Sequence, residues 1–242
     1  MKEYFHKPRD KRLREILIGQ GSVGIVIILI SICLVFWGLG YKINWQTMKI
    51  SHTGIVYISF EPNDATVLLS GQETKAKSTF DAQLLPGFYD VEVKKDGYNT
   101  WRQHIKITAD KVDWFKNITL FKVDPDISVI TDQNSINSID SPYDSLVKNP
   151  EGNLSFNDHE IWVGDTLVTR LSNQISGVIW YPGNEYLAYQ QGDEIRIIEK
   201  NGTNDVLLAK LSNSDKSNFM FSWDGSSLLY KDGIVYRRAT IR

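Results

Sequence analysis

The chain has 242 residues, enough for a membrane anchor and one or two domains of ordinary size but too few for more than two complete domains. Its 27 lysine and arginine residues nearly balance its 29 aspartate and glutamate residues, which argues against nucleic acid as a partner. The single cysteine, Cys33, lies in the most apolar stretch of the chain. Because there is only one cysteine, an intramolecular disulfide and a thiolate metal site are excluded.

The first predicted element is a membrane-spanning helix at residues 16–41. No residue between Ile16 and Tyr41 is charged, and Ile, Leu, Val and Phe dominate the run. At 1.5 Å per residue the segment reaches about 39 Å, which exceeds the hydrocarbon core of a bilayer. It is too long for the apolar core of a cleaved signal peptide, and no A-x-A-like cleavage site follows it. The sequence therefore predicts a signal anchor in the cytoplasmic membrane.

The charges on either side of this helix predict its orientation. More basic residues lie before the apolar run than shortly after it: Lys7, Arg9, Lys11, Arg12 and Arg14 precede it, and Lys42 and Lys49 follow it. Under the positive-inside rule, residues 1–15 are a cytoplasmic segment and the C-terminal domains are extracytoplasmic. Trp37, Tyr41 and Trp45 would form an aromatic belt on the outer side, and residues 42–53 are predicted to be a spacer.

Residues 54–122 show the period of two that is typical of β-strands. In GIVYISF the residues Val56, Ile58 and Phe60 alternate with those of the opposite face, so one face is apolar. Glycine-containing pairs mark turns between the strands, at Ser70-Gly71 and Asp96-Gly97. About six short strands with no helical pattern between them predict a small β-sandwich.

Two motifs of this region resemble the PEGA domain, a compact sandwich found on bacterial and archaeal surface proteins. The resemblance covers Ile55 to Phe121 and rests on EPNDATVLLSG and, more specifically, on LLPGFYDVEVKKDGY, with a terminal strand that ends at Leu120. Asp64 stands where the family usually has glycine. The resemblance implies a prokaryotic, extracytoplasmic and non-catalytic module that contacts cell wall or protein.

The remaining chain is predicted to contain a linker and a repeat. Residues 123–147 are rich in Asp, Ser and Asn and predict a linker with one short strand at ISVI. In residues 148–242, WYPGNEYLAY from Trp180 aligns without gaps on FSWDGSSLLY from Phe221, an offset of 41 residues. A weaker copy, NPEGNLSF followed by DHEIWVGDTLV, spans 149–168.

A repeat of about forty residues that builds a short antiparallel sheet is typical of propeller blades. The units resemble TolB-like and WD-type propeller repeats. Propellers close with about four to eight blades, and about three units fit here, so we expect incomplete propeller-like sheets. The last strand would have an unpaired edge, which predicts that the chain is a truncated part of a longer protein or that the sheet packs on the sandwich or another subunit. Truncation is the preferred explanation.

The predicted fold class is mainly β, with a single N-terminal transmembrane helix, a small PEGA-like β-sandwich and then partial β-propeller-like antiparallel sheets. No two histidines have metal-ligand spacing, and the motifs GxSxG, GxxxxGK[ST] and GxGxxG are absent. The sequence therefore predicts no catalytic residue, no metal site and no cofactor.

The predicted function is that of a membrane-tethered, non-catalytic binding or structural module. Its partners would be the membrane and a cell-wall polysaccharide or an envelope protein, with no nucleic acid. Aromatic rings could stack on sugars or peptides, and the candidate ligand-binding residues are Trp101, Trp114, Trp162 and Trp180. The favoured alternative for these strand tryptophans is a place in the core. The alternative function is a hydrolase-type or sensor ectodomain of a longer propeller protein.

Overall fold

The structure, a computed structural model, describes residues 9–45, 48–141 and 154–242, with the side chains of residues 9–17 outside the description. Residues 1–8 of the predicted cytoplasmic segment and residues 142–153, which hold the linker's end and the start of the weaker repeat copy, lie outside the described residues. The chain is mainly β and divides into two compact units. The first comprises Met1–Val56, Ala82–Gly87 and Lys106–Asp113, and the second Tyr57–Asp81, Phe88–Ile105 and Trp114–Arg242.

The first unit begins with one long helix, α1 (Arg9–Gly38). Its segment Ile18–Gly38 has a mean hydropathy of 2.5, and none of it is buried inside the protein. By length and composition this segment can cross a bilayer, a property that signal sequences share. The helix ends where Gly40 takes a φ of 83°, the left-handed conformation that often terminates helices. The predicted N-terminal apolar helix is confirmed, and it ends at Gly38 rather than at Tyr41.

An antiparallel hairpin follows α1, where the sequence predicted a spacer. Strands β1 (Tyr41–Asn44) and β2 (Lys49–His52) pair along their whole length, with Tyr41 opposite His52. Thr53 closes the base of the hairpin, because its backbone N–H and its hydroxyl both donate to the Gly40 carbonyl, at 3.0 and 2.8 Å.

The described residues 54–119 form the strands of a sandwich. Their bounds are β3 (Gly54–Glu61), β4 (Ala65–Leu69), β5 (Gln72–Ala76), β6 (Thr79–Leu84), β7 (Gly87–Lys94), β8 (Trp101–Ile107) and β9 (Val112–Thr119). One sheet has the order β6-β3-β9 and the other β5-β4-β7-β8, so β8 and β9 are both edge strands. Ile58, Phe60, Val67, Val91 and Val93 are buried, which confirms the alternation expected from the sequence.

The residue that departs from the PEGA pattern has a glycine-like backbone. Asp64 has a φ of 61°, and its N–H donates to the Lys77 carbonyl at 2.6 Å. Aspartate is one of the few residues other than glycine that tolerate this left-handed region, because its short polar side chain can bond locally. The turn between β3 and β4 therefore keeps its geometry without a glycine.

Three antiparallel sheets follow in the second unit. The first C-terminal sheet contains β11 (Leu154–Phe156), β12 (Glu160–Val163) and β13 (Thr166–Arg170); the second contains β14 (Ile175–Trp180), β15 (Tyr186–Gln191), β16 (Glu194–Glu199) and β17 (Val206–Lys210); the third contains β10 (Asp126–Val129), β20 (Val235–Thr240), β19 (Ser227–Asp232) and β18 (Phe219–Phe221). Within the described residues, none of these sheets closes into a barrel or a propeller ring.

The sequence repeat has a structural counterpart. Strands β15 and β19 begin at Tyr186 and Ser227, and both are the second strand of their repeat, so they keep the offset of 41 residues. Asn184 and Gly225, which the same offset relates, both have a positive φ in the preceding turn. The two repeat copies therefore fold into equivalent strands and turns.

A strand from the predicted linker, residues 123–147, completes the third C-terminal sheet. β10 pairs antiparallel with β20, from Asp126 opposite Thr240 to Val129 opposite Arg237. The expectation of an unpaired edge on β20 is wrong, because this upstream strand covers it. The short strand expected at ISVI is confirmed, whereas the sequence did not predict the helix α2 (Gln133–Asp140) that follows it.

Apolar side chains join the C-terminal sheets to one another. Ile161 of the first sheet packs with Leu187 of the second, and Ile195 of the second packs in a larger core with Leu228 of the third. Ile139 of α2 belongs to a further apolar cluster with Leu229, Met220 and Tyr236. One face of the third sheet therefore packs against α2.

Candidate functional site

A pocket of about 380 Å³ lies within the second unit, where strands β8 and β9 of the sandwich face the second C-terminal sheet. We call it the Trp114 pocket. Strands β8 and β9 contribute aromatic and amide side chains, and the turn before β15 and the end of β16 contribute carboxyl groups; the residues used below are Trp101, Gln103, Trp114, Lys116, Glu185 and Glu199.

The turn between β16 and β17 covers the edge strand β8. The Asn204 side chain accepts a hydrogen bond from the Arg102 N–H at 2.9 Å and donates one to the Arg102 carbonyl at 3.1 Å. These are the positions that a neighbouring strand would occupy at an exposed sheet edge. On one side of the pocket, the side-chain amide of Asn204 therefore links the turn after β16 to the backbone of β8.

Glu199 is buried at the end of β16, and uncharged donors bond both of its oxygens. Trp101 Nε1 donates to Oε1, while Thr203 Oγ1 at 2.7 Å and the side-chain amides of Gln103 and Asn204, each at 3.2 Å, donate to Oε2. Burial of a carboxyl group is costly unless hydrogen bonds replace its water. These bonds therefore hold Glu199 in a structural network.

Trp114 forms the exposed wall of the pocket. Its side chain is 56% exposed, and its ring centroid is 4.9 Å from that of Tyr57 at an interplanar angle of 52°. The Lys116 Nζ lies 4.4 Å from the ring centroid, within the range of a cation–π interaction. The pocket thus offers a large aromatic surface beside a positive charge.

The opposite wall carries an ion pair and a buried tyrosine. The Lys200 Nζ lies 3.1 Å from Glu185 Oε2. The hydroxyl of Tyr186 accepts a hydrogen bond from the Thr119 N–H of β9 at 3.0 Å. Burial, and after it the nearby Glu199, raises the pKa of Tyr186 well above the usual value for tyrosine. Tyr186 therefore remains a neutral hydroxyl in this wall.

The four tryptophans that the sequence predicts as ligand-binding candidates differ in their exposure and in whether they line the pocket. Trp101 and Trp180 are 3% and 5% exposed, so the exposed stacking role does not hold for them, because their strands turn them into the core. Trp162 is half-buried, and its Nε1 donates to Glu160 at 3.1 Å. Trp114 lies in the pocket with a large exposed surface, and Trp101 lines the same pocket. Trp162 and Trp180 lie outside its lining.

Sequence reasoning did not identify Glu199, Lys116 or Trp223. A signal for Glu199 was present, since its spacing of two from Ile197 in β16 places it on the same buried face. Trp223 is 95% exposed in the turn before β19 and lies outside the pocket lining. In the part of the chain that the structure describes, no group of three or more His, Cys, Asp or Glu residues is placed to hold a metal ion.

Comparison with known proteins defines the class of the sandwich. Residues 53–122 match the family model of the PEGA domain, in agreement with the resemblance found at Ile55 to Phe121. No curated protein matches the chain.

Similar solved structures include two from Bacteroides species. A candidate phosphatase from Bacteroides thetaiotaomicron is 10% identical, with a TM-score of 0.25, over 70% of this chain and 60% of its own. A DUF3823 family protein from Bacteroides ovatus is 8% identical, with a TM-score of 0.23, over 78% of this chain and 97% of its own. The chain thus spans less than two thirds of the phosphatase. Likeness at this level carries no argument about function.

Proposed function

We propose that the protein is a membrane-tethered, non-catalytic binding module whose Trp114 pocket contacts a cell-envelope polymer, with polysaccharide as the preferred ligand class. The exposed Trp114 ring, in a pocket that also has polar side chains such as Gln103 and Lys116, carries this proposal. Flat aromatic rings bind apolar faces of ligands, while a few polar groups around them orient hydroxyl groups. An envelope protein is the other partner class that this surface would accept.

The anchoring part of the proposal rests on α1. Its apolar segment is exposed along its whole length, and a continuous apolar surface of this kind is stable in water only when lipid or protein covers it. Lys7, Arg9, Lys11, Arg12 and Arg14 precede the segment. The positive-inside rule then predicts that the N-terminus is cytoplasmic and that the sandwich and the three C-terminal sheets lie outside the cytoplasmic membrane. The PEGA match supports this placement.

The ion pair and hydrogen bonds of the pocket's carboxyl groups support a binding role rather than a catalytic one. Glu185 is paired with Lys200, and both oxygens of Glu199 accept hydrogen bonds from neighbouring side chains. A general acid or base must be able to exchange a proton with a substrate in the pocket. The contacts of these two groups with neighbouring side chains support a structural part for them in the pocket.

The alternative is a hydrolase-type or sensor ectodomain of a longer propeller protein. One observation favours it: the repeat of 41 residues recurs in equivalent strands of the second and third C-terminal sheets. Under this proposal the three C-terminal sheets are blades of an incomplete propeller. A longer natural form of the chain with further repeats would support the alternative.

The test compares two exposed tryptophans in the full-length protein. The native chain, Trp114→Ala and Trp223→Ala are reconstituted in vesicles and mixed with purified envelope polysaccharide of the host, and the polymer that floats with the vesicles is measured. We expect Trp114→Ala to weaken binding about 30-fold, as for a contact worth about 2 kcal/mol, and Trp223→Ala to bind like the native chain. Equal binding by all three proteins would overturn the assignment of the pocket.

A further inference from the structure

The hairpin β1–β2 has one apolar face and one polar face. Because side chains alternate along each strand, Tyr41 and Ile43 lie on the same side as Ile50 and His52 of the returning strand. Trp45 and Met48 follow and precede these strands at the turn. The register places Ile43 directly opposite Ile50. The opposite face carries Lys42, Asn44, Lys49 and Ser51.

The part of the apolar face near the turn is exposed. At its base Tyr41 and His52 are half-buried, and His52 Nδ1 lies 3.0 Å from Asp110 Oδ1. The exposed fractions are 46% for Ile43, 63% for Ile50, 73% for Met48 and 76% for Trp45. On the polar face, the Lys42 Nζ donates to the Gln83 carbonyl at 2.7 Å, so this face is turned toward the rest of the first unit. A contiguous exposed apolar surface of this kind marks a contact site.

The connection to α1 limits how far the hairpin can lie from a bilayer. Gly38 is the last residue of α1 and Tyr41 the first of β1, and three residues span at most about 11 Å. The headgroup region on each side of the hydrocarbon core is about 5–8 Å thick. The ring of Phe36 in the last turn of α1 also contacts the Tyr41 ring, with centroids 5.2 Å apart. If α1 spans the membrane, the base of the hairpin lies at headgroup depth.

We propose that the hairpin is a second membrane contact, in which Ile43, Trp45, Met48 and Ile50 insert into the boundary between headgroups and acyl chains beside the end of α1. The proposal rests on the membrane anchor of the proposed function and adds a surface to it. Lipid is the occupant because the face continues directly from the apolar end of α1 and includes tryptophan, which is enriched at membrane interfaces.

This contact would restrict the orientation of the first unit. A single helix allows the attached domain to rotate and tilt about the point where the helix leaves the membrane. Two contacts joined by the short Gly38 to Tyr41 connection would keep the same side of the first unit against the membrane. The bond pair from Thr53 to the Gly40 carbonyl closes the hairpin at its base. The first unit is then held in one orientation at the membrane surface.

The experiment places a polarity-sensitive fluorophore on single cysteines of the full-length chain in phosphatidylcholine vesicles, after Cys33→Ser has removed the native thiol. Ile50→Cys probes the apolar face, and Lys49→Cys, the adjacent residue on the other face, is its matched control. Leu29→Cys probes the middle of α1. Nitroxide lipids carry the quencher either near the headgroup or near the bilayer centre.

We expect the shallow quencher to reduce the Ile50→Cys signal at least about threefold more than the Lys49→Cys signal, as for a side chain that enters the bilayer by about 5–10 Å. The deep quencher should act most strongly on Leu29→Cys. Quenching at Leu29→Cys with none at Ile50→Cys would overturn the hairpin contact and leave the anchor in place. Equal quenching at Ile50→Cys and Lys49→Cys would also overturn it. Absence of quenching at all three positions would remove the anchor and with it the proposed function.

Discussion

Replacement of Trp101 by phenylalanine tests whether the Glu199 network holds the Trp114 pocket together. The substitution keeps an aromatic ring at a position that is 3% exposed but removes the Nε1 donor to Glu199 Oε1. A buried polar atom without its partner costs about 1–3 kcal/mol, and the smaller ring leaves a cavity that costs about 1 kcal/mol more. We therefore expect Trp101→Phe to lower the free energy of unfolding by about 2–4 kcal/mol.

The matched control is Trp114→Phe, the same substitution at a side chain that is 56% exposed. It should change the free energy of unfolding by less than about 0.5 kcal/mol, since surface substitutions rarely do more. Both are measured by urea denaturation of the full-length chain in detergent micelles, followed by circular dichroism. A double-mutant cycle of Trp101→Phe with Glu199→Leu, which removes the acceptor, should give a coupling energy of about 0.5–3 kcal/mol. Equal stability of the two tryptophan variants would refute the reasoning.

Three further predictions concern tyrosines and one aspartate. Tyr189 donates its hydroxyl to Asp205 at 2.8 Å, whereas the hydroxyl of its repeat counterpart Tyr230 has no partner among the described residues. Tyr189→Phe should lower the free energy of unfolding by about 1 kcal/mol, while Tyr230→Phe should leave it unchanged or raise it by up to about 1 kcal/mol. Because burial raises the pKa of Tyr186, its contribution to stability is complete below about pH 10 and is lost above it, at up to about 1.4 kcal/mol per pH unit. Tyr186→Phe should make this alkaline slope less steep, while Tyr181, Tyr189 and Tyr230, whose pKa burial also raises, account for the slope that remains. Hydrogen bonds from Ser222 and then from Ser226 lower the pKa of Asp224 to about 2. Its contribution is therefore present above about pH 4 and is lost as the pH falls toward 2, a loss that Asp224→Ala should not show.

Urea denaturation of the full-length variants over the relevant pH range checks these predictions. A Tyr230→Phe variant that is less stable than Tyr189→Phe would contradict the comparison between repeats. An alkaline slope that Tyr186→Phe leaves unchanged would show that other groups cause it. Parallel acid curves for the native chain and Asp224→Ala would show that the turn does not favour the ionised aspartate.

The parts of the fold that follow from local periodicity were predictable. The uncharged run after Ile16 predicted an apolar helix, and the alternation of Val56, Ile58 and Phe60 predicted a strand with one buried face. The repeat at Trp180 and Phe221 predicted two equivalent strands. In each case the pattern reports which side of an element avoids water, and it needs no knowledge of what lies across from it.

Two elements were missed because their stability comes from distant partners. The helix α2 has few apolar residues in a segment rich in Ser and Asn, and it forms where Ile139 packs in a cluster with Leu229. An isolated helix of this length is unstable in water, so its own sequence gives a weak signal. The hairpin β1–β2 is short and adjoins the apolar span, so its alternation of apolar and polar residues is too brief to predict strands.

The candidate site was likewise predictable only in part, because some of its features depend on distant partners. Composition and strand pattern gave a set of tryptophans, but the pattern could not determine which of them face solvent. Trp101 and Glu199 are 98 residues apart in the chain, and Glu61 and Arg242, which form an ion pair, are 181 apart. Contacts over such distances depend on how the sheets pack, and a local pattern contains no information about them.

By itself the sequence determined the apolar helix, the strands of the sandwich and the repeated strands, because each is specified by the spacing of apolar residues along a short segment. Only the tertiary structure decided that β10 pairs with β20 and that Glu199 joins the sandwich to the second C-terminal sheet. It also decided that Trp114 is exposed while Trp101 and Trp180 are buried. The physical reason is that edge pairing and burial depend on the surface presented by a partner far away in the chain.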